Sequence, residues 1–315
     1  MINRLAPLIT LAFISLGLSL VSPHFLTTAN LFSVGLQISV VAIMALGGMM
    51  VIIAGGIDLS VGSVLGLTGV ISTMIMVGDL GVIPGVTAGV LAGLLLGFLN
   101  GVLVAWGRVP PFIATLGMMG MARSLALVFT GGVPIHGLPR SFTYLGSGSL
   151  PGGLPFPVLI LLIMAGLCWL LLSQTRFGRA VYAVGGSMEA SLLSGISVKR
   201  VLIIVYSTAG LLSGLAGVIL ASRLSTGQPT AGTGYELDVI AACVIGGASL
   251  TGGRGGILGA LVGALLIGIL RNGCNLLDIS AFWQQFAIGA IIVLAVLFDQ
   301  LRQRRGLGKL GGRIG

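Results

Sequence analysis

No aspartate, glutamate, lysine or arginine occurs between Arg4 and Asp58. An uncharged run of that length exceeds the ~20 apolar residues that cross a hydrocarbon core, and few folds outside a bilayer would tolerate it. The texture persists along the chain: mean hydropathy is +1.14, with 16 basic and 7 acidic residues among 315. In lipid every backbone polar group needs an internal partner, which restricts spanning elements to helices or a closed barrel. Long continuous spans, in place of short alternating segments, select helices. The sequence predicts an all-α polytopic membrane protein.

Hydropathy places about ten transmembrane helices, near 5–21, 31–54, 62–77, 82–106, 112–130, 156–172, 201–221, 237–247, 256–270 and 283–298. The eighth is too short to span alone and must be flanked by irregular backbone covered by protein or a cavity. The N-terminus resembles a signal peptide but lacks an obvious cleavage site before Thr27-Thr28-Ala29, and is read as an uncleaved first span. Basic residues set the orientation. Arg4, Arg108, Arg176, Arg179, Lys199, Arg200, Arg254, Arg302, Arg304, Arg305, Lys309 and Arg313 fall on one side, against Arg140, Arg223 and Arg271 on the other. By the positive-inside rule both termini are cytoplasmic. The net charge of +9 therefore reports topology and not nucleic-acid binding.

Glycine is abundant, at 53 residues, against roughly 7% in ordinary proteins. Gly89, Gly93, Gly97 and Gly101 form one small-residue ridge suited to close helix packing, and Gly255, Gly259 and Gly263 another. Gly97-Phe-Leu-Asn-Gly101 and Gly268-Ile-Leu-Arg-Asn-Gly273 echo each other weakly. Two five-helix halves would be inverted relative to one another, an arrangement suited to alternating access, although chance similarity of glycine-rich spans explains the echo equally well. Cys168, Cys243 and Cys274 lack metal-ligand spacing and read as small buried hydrophobes.

The polar, basic segment from Ser173 to Arg200 interrupts this apolar background. It is patterned enough for a short surface helix, and it would emerge on the cytoplasmic side, where a soluble partner could grip it. The alternative is a loop helix lying on lipid headgroups. Neither lysine, Lys199 or Lys309, sits in a GK[ST] phosphate loop, and the two histidines, His24 and His136, fall in separate outer segments. The chain is therefore not expected to be an enzyme and offers no metal cluster.

Three polar features remain. Gly55-Gly-Ile-Asp-Leu-Ser-Val-Gly-Ser63 interrupts two spans; Asp58 and Ser60 either cap the following helix or meet a polar solute. Arg123 lies deep in a span and should pair with carbonyls or with an acid, Asp58 and Asp238 being the candidates. Thr226 to Asp238 reads as an outer loop entering the eighth helix, which either faces a docking protein or the mouth of a path or is a solvated loop whose acids Glu236 and Asp238 cap the helix. Asp58, Ser60, Arg123, Glu236 and Asp238 are the candidate path or gate residues.

GGIDLSVGS (55–63), VPPFIATLGMM (109–119), TRFGRAVYAVGG (175–186), SGISV (194–198) and GTGYELDVIAACVIGGASLTGG (232–253) stand in a telling order. Together they resemble the permease subunits of ribose/xylose-type sugar ABC importers. The resemblance implies a transmembrane permease domain over 1–300 with a basic cytoplasmic tail at 301–315, in a bacterial inner membrane. It also implies a second permease copy or close paralogue, an extracytoplasmic sugar-binding protein, and a cytoplasmic ABC ATPase. That ATPase would use ATP and magnesium, with no cofactor bound by this chain. The 173–200 loop would supply the helix that docks on it, expected over Gly185–Ser194. Met188, Leu192 and Leu193 would be the apolar contacts, with Glu189 and Arg179 at the rim; Gly186 and Gly195 complete the candidate loop. Two positions depart from the family pattern: Ser187 stands where Asn is frequent and Ser124 where Gly is usual. Without the resemblance, an ion-coupled secondary transporter using Asp58 and Asp238, or a passive channel, would fit the same composition.

Overall fold

The computed structural model describes residues 2–311. Its helices are α1 (Ile2–Val21), α2 (Thr28–Ile53), α3 (Val61–Ile75), α4 (Val82–Ala105), α5 (Pro111–Thr130), α6 (Arg140–Ser147) and α7 (Phe156–Gln174). There follow α8 (Arg176–Gly186), α9 (Met188–Leu193), α10 (Val198–Leu224), α11 (Tyr235–Ile245), α12 (Ile257–Leu276) and α13 (Ala281–Gly311). A π-helical turn, Met76–Leu80, extends α3. Among the described residues there is no strand, and the all-α expectation holds.

Seven of these segments are long and apolar enough to cross a membrane: α2, α3 with its π turn, α4, α5, α7, α10 and α12. Each overlaps a span expected from hydropathy. The largest boundary error is at the end of α12, expected near 270 and found at Leu276. The helix continues because Arg271, read from sequence as lying outside the span, is held inside the fold by an acid. The basic tail expected at 301–315 begins within the backbone of α13, and residues 312–315 lie outside the described chain.

The centre of the bundle is α2. It is apolar on every side, as a wholly enclosed helix must be, and from Ile38 to Ile53 every residue is buried. It packs against α7, α10, α11 and α12. At its start Thr27 caps the helix by accepting from the Asn30 amide. The Asn30 and Asn272 side chains exchange two hydrogen bonds of 3.0 and 2.7 Å, tying α2 to the far part of α12.

The most extensive helix pair is α4 with α10, and its seam is the first glycine ridge. Gly93 and Gly97 of α4 meet Gly210 and Gly214 of α10 backbone to backbone, and Gly101 meets Ile203. A Cβ on Gly93 would lie 2.5 Å from the Gly210 carbonyl oxygen and 2.7 Å from the Gly214 Cα. The second ridge serves α12: Gly259 and Gly263 rest on the carbonyls of Gly246 and Ala242 at the end of α11. Cys168 and Cys243 are buried, Cys274 half-buried, and all three are free.

The stretch before α11, read from sequence as an outer loop, packs along α3. Ile135 and Gly227 exchange backbone hydrogen bonds of 3.0 and 2.9 Å, and Gly227 packs on Thr73. The chain then runs down α3: Pro229 and Ala231 lie beside Gly66, and Gly232 lies against Gly62. From Thr73 to Gly62 is about 16 Å of helix at 1.5 Å per residue. Small residues on both partners permit this descent, and a polar composition does not reveal it.

The glycine seam yields a stability prediction. Gly93→Leu should destabilise the protein by about 1–3 kcal/mol through overpacking, read as a lowered unfolding midpoint in detergent. Gly166→Leu, at a position of α7 where a Cβ meets nothing within 4 Å, should leave the midpoint unchanged.

Candidate functional site

Residues 173–200 form two helices. Thr175 caps α8 by accepting from the Gly178 amide at 3.1 Å, and Ser187 caps α9 by accepting from the Ala190 amide at 3.2 Å. The helix expected over Gly185–Ser194 is therefore broken at Ser187: Gly185 and Gly186 end α8, while Ser194 is the C-cap of α9 and Gly195 follows it with φ of +80°. The break has a local cause, since an extended capping residue cannot continue the preceding helix. Asn and Ser cap equally well, so the serine at 187 preserves the cap.

Gly178, Val181 and Val184 bury one face of α8, and Arg176 and Arg179 are exposed on the other. The Tyr182 hydroxyl donates to the Gly255 carbonyl at 2.9 Å, and burial pushes it above its ordinary pKa, so it remains a neutral donor. On α9 the expected apolar contacts separate by face. Met188 and Leu192 border a cavity of about 430 Å3, completed by Val104, Ala105, Arg108 and Tyr206 among others. Leu193 is 86% exposed and shares its face with Glu189, four residues earlier. Lys199, also at the cavity, sits 4.5 Å from the centre of the Trp106 ring.

The candidate path residues fall into three groups. In the first, Asp58 Oδ1 accepts from the Ser60 amide at 2.8 Å and from its hydroxyl at 2.6 Å. Asn100 Nδ2 donates to Ser60 Oγ at 3.0 Å, and Thr115 donates to the Ile57 carbonyl at 3.2 Å. Ser60 occupies the N-cap position of α3 but makes no side-chain cap, so neither it nor Asp58 plays the capping role considered from sequence. Gly56 packs on the Tyr206 hydroxyl, which any side chain at 56 would have to displace.

In the second group Arg123 Nη1 donates to the carbonyls of Pro229, 2.6 Å, and Ala231, 2.8 Å. The acid whose charge reaches it is Glu236, and neither Asp58 nor Asp238, the expected acids, is its partner. The third group is the ion pair of Asp238 with Arg271, 2.8 Å, in which Asp238 is buried. Asn100, Tyr206, Tyr182 and Arg271 were not selected from sequence. Asn100 carried a usable signal, an amide in an apolar span; Arg271 carried only a misleading one, its place beyond the expected end of a helix. Among the described residues no group of three His, Cys, Asp or Glu side chains could hold a metal ion.

Residues 30–296 match the family described as branched-chain amino acid transport system / permease component. The chain belongs to this permease family. It is 48% identical to the ribose import permease protein of Escherichia coli strain K12 over 300 residues, 94% of this chain and 93% of that one. The ribose import permease protein of Bacillus subtilis is 46% identical, covering 95% and 93%. The L-arabinose ABC transporter permease protein of Azospirillum brasilense is 40% identical, covering 98% and 91%. No solved structure matches the chain. As a permease with seven long apolar helices, it is a multi-pass membrane protein and a transport component, not an enzyme.

Breaking the Asp238–Arg271 pair leaves an uncompensated buried carboxylate. Arg271→Met should cost about 3–5 kcal/mol, and adding Asp238→Asn should recover part of that loss, measured as unfolding midpoints in a double-mutant cycle.

Proposed function

We propose that this chain is the membrane-spanning subunit of an ATP-driven importer for a monosaccharide or similar small polyol. One observation carries the reading: the chain resembles, over almost its whole length, permeases named for ribose, arabinose and allose import. The family description mentions branched-chain amino acids. That description names the wider family, and the relatives at 38–48% identity name the nearer chemistry. The ion-coupled alternative loses support because Asp238, one of its two candidate ion sites, is engaged by an arginine.

The reading includes ten spans, with α1, α11 and α13 added to the seven long ones, and both termini in the cytoplasm of a bacterial inner membrane. Arg108 and Lys199 share one cavity, and Arg254 lies on the turn held by Tyr182, which supports a common positive, inner side. An inverted five-helix repeat is supported by paired contacts. The packing of α3 on α4 and α5 is matched by α11 on α12 and α13, and that of α10 on α3 and α4 by α2 on α11 and α12. In both halves the third element follows a break of irregular backbone, at 54–60 before α3 and at 225–234 before α11.

In this mechanism a sugar-binding protein delivers its ligand to the outer face, and two permease copies enclose the path. An ATPase grips α9 through Leu193 and Glu189. Arg123 and the descending 226–234 segment, with Asp58, Ser60, Glu236 and Asp238, belong to the path or its gate. ATP binding and hydrolysis bias the conformational equilibrium, as any driver must through unequal free energies in the two states.

Uptake of ribose, arabinose or allose into vesicles carrying the complete system should stop on ATP depletion while an ion gradient persists; uptake that survives would overturn the importer reading. Glu189→Arg should leave membrane insertion intact and lower ATP-driven uptake at least tenfold, the equivalent of about 1.4 kcal/mol of lost docking. Normal uptake by that variant at equal expression would remove Glu189 from the interface.

A further inference from the structure

On its membrane side the α8–α9 pair meets the bundle where three backbones converge. The Gly253 amide donates to the Ile53 carbonyl at the end of α2, 2.8 Å, and Tyr182 holds the Gly255 carbonyl two residues on. Gly185 lies between them: any side chain there would collide with the Ile53 carbonyl and come within 2.7 Å of the Gly253 nitrogen. Gly252, with φ of +88°, is equally close, since a Cβ would lie 2.5 Å from the Gly185 carbonyl oxygen and 3.0 Å from the Gly55 Cα. No side chain separates the end of α2, the end of α8 and the turn that joins α11 to α12. Past Ser187 the situation reverses, because α9 borders the cavity of about 430 Å3. One end of the pair is fixed to backbone and the other has space beside it.

We propose that Gly185, Tyr182 and Gly253 form the joint that passes movement of α8–α9 to α2 and α12, with Tyr182 as a positioning residue of the transport cycle. The proposal rests on the importer reading above. A backbone contact has no rotamer to absorb displacement, and a closely packed interior transmits it. Both outgoing helices are connected to the opposite end. Asn30 and Asn272 tie them together there, and Arg271 of α12 holds Asp238 of α11, the helix that follows the descending segment. Movement at the joint thus reaches the group of residues around Arg123 through continuous packed structure.

The test uses the assembled importer in proteoliposomes, this chain with its ATPase and binding protein, and ribose, arabinose and allose as probe sugars. Uptake and ATP hydrolysis are measured together. Tyr182→Phe removes one hydrogen bond and little else. It should lower sugar imported per ATP about fivefold, with hydrolysis and ATPase co-purification unchanged and the unfolding midpoint shifted by no more than the loss of one hydrogen bond. Gly185→Ala should lower the ratio further while the ATPase still co-purifies. A wild-type ratio in Tyr182→Phe would overturn the proposal. So would a fall in uptake by Tyr182→Phe matched by an equal fall in hydrolysis or by loss of the ATPase, because the contact would then be merely structural. If the wild-type chain itself shows no ATP-dependent uptake, the importer reading fails, and the proposal falls with it by a different and visible route.

Discussion

Everything in this bundle depends on helices approaching until their backbones touch. Between apolar helices in lipid there is no hydrophobic gain from association, so van der Waals contact and interhelical hydrogen bonds must supply it. The α4–α10 seam does so along Gly93, Gly97, Gly210 and Gly214, and the α11–α12 seam does so at Gly246, Gly259 and Gly263. Had any of these carried a side chain, α10 and α12 would stand away from their neighbours. The central helix α2 would then lose the enclosure that lets it be apolar on every face.

Polar side chains act on this frame as pins. A cation in a span is costly unless it finds carbonyls or an acid, and Arg123 meets the requirement with backbone. Its bonds to Pro229 and Ala231 hold the descending segment beside α3, where unpaired carbonyls would themselves be costly. Asp238 and Arg271 fasten α11, too short to be anchored by its own length, to α12. The Asn30–Asn272 pair performs the same task for α2. The Asn30–Asn272 and Arg123 pins join elements far apart in sequence, the Asp238–Arg271 pin joins consecutive helices, and each fixes the register of helices whose apolar faces could otherwise slide.

Hydropathy made the spans legible because crossing a bilayer imposes a length and a composition on consecutive residues. The glycine ridges were legible for a similar reason: a four-residue spacing of small residues marks one face of one helix. What was hidden depends on a second segment. Arg123 announced that it needed a partner, but nothing local distinguished the Pro229 and Ala231 carbonyls from Asp58 or Asp238. The 226–234 stretch has the composition of a solvated loop, and only the matching glycines at 62 and 66 of α3 allow it to sink. In the segment from 173 to 200 a surface helix was evident. Its break at Ser187 was not, because a serine reads as a small interior residue until its extended backbone makes it a cap.

That break decides how the segment can work. A single helix over 185–194 would carry Met188, Leu192 and Leu193 on one broad surface and would swing as a unit about its own loop. With a cap at 187, α8 is free to bury Val181 and Val184 in the bundle while α9 takes a different direction. Met188 and Leu192 then face the cavity, and Leu193 with Glu189 faces outward. Met188, Leu192 and Leu193 are all partly exposed, at 48%, 58% and 86%, so the apolar surface of α9 is spread over two faces and the charge of Glu189 lies beside only one of them.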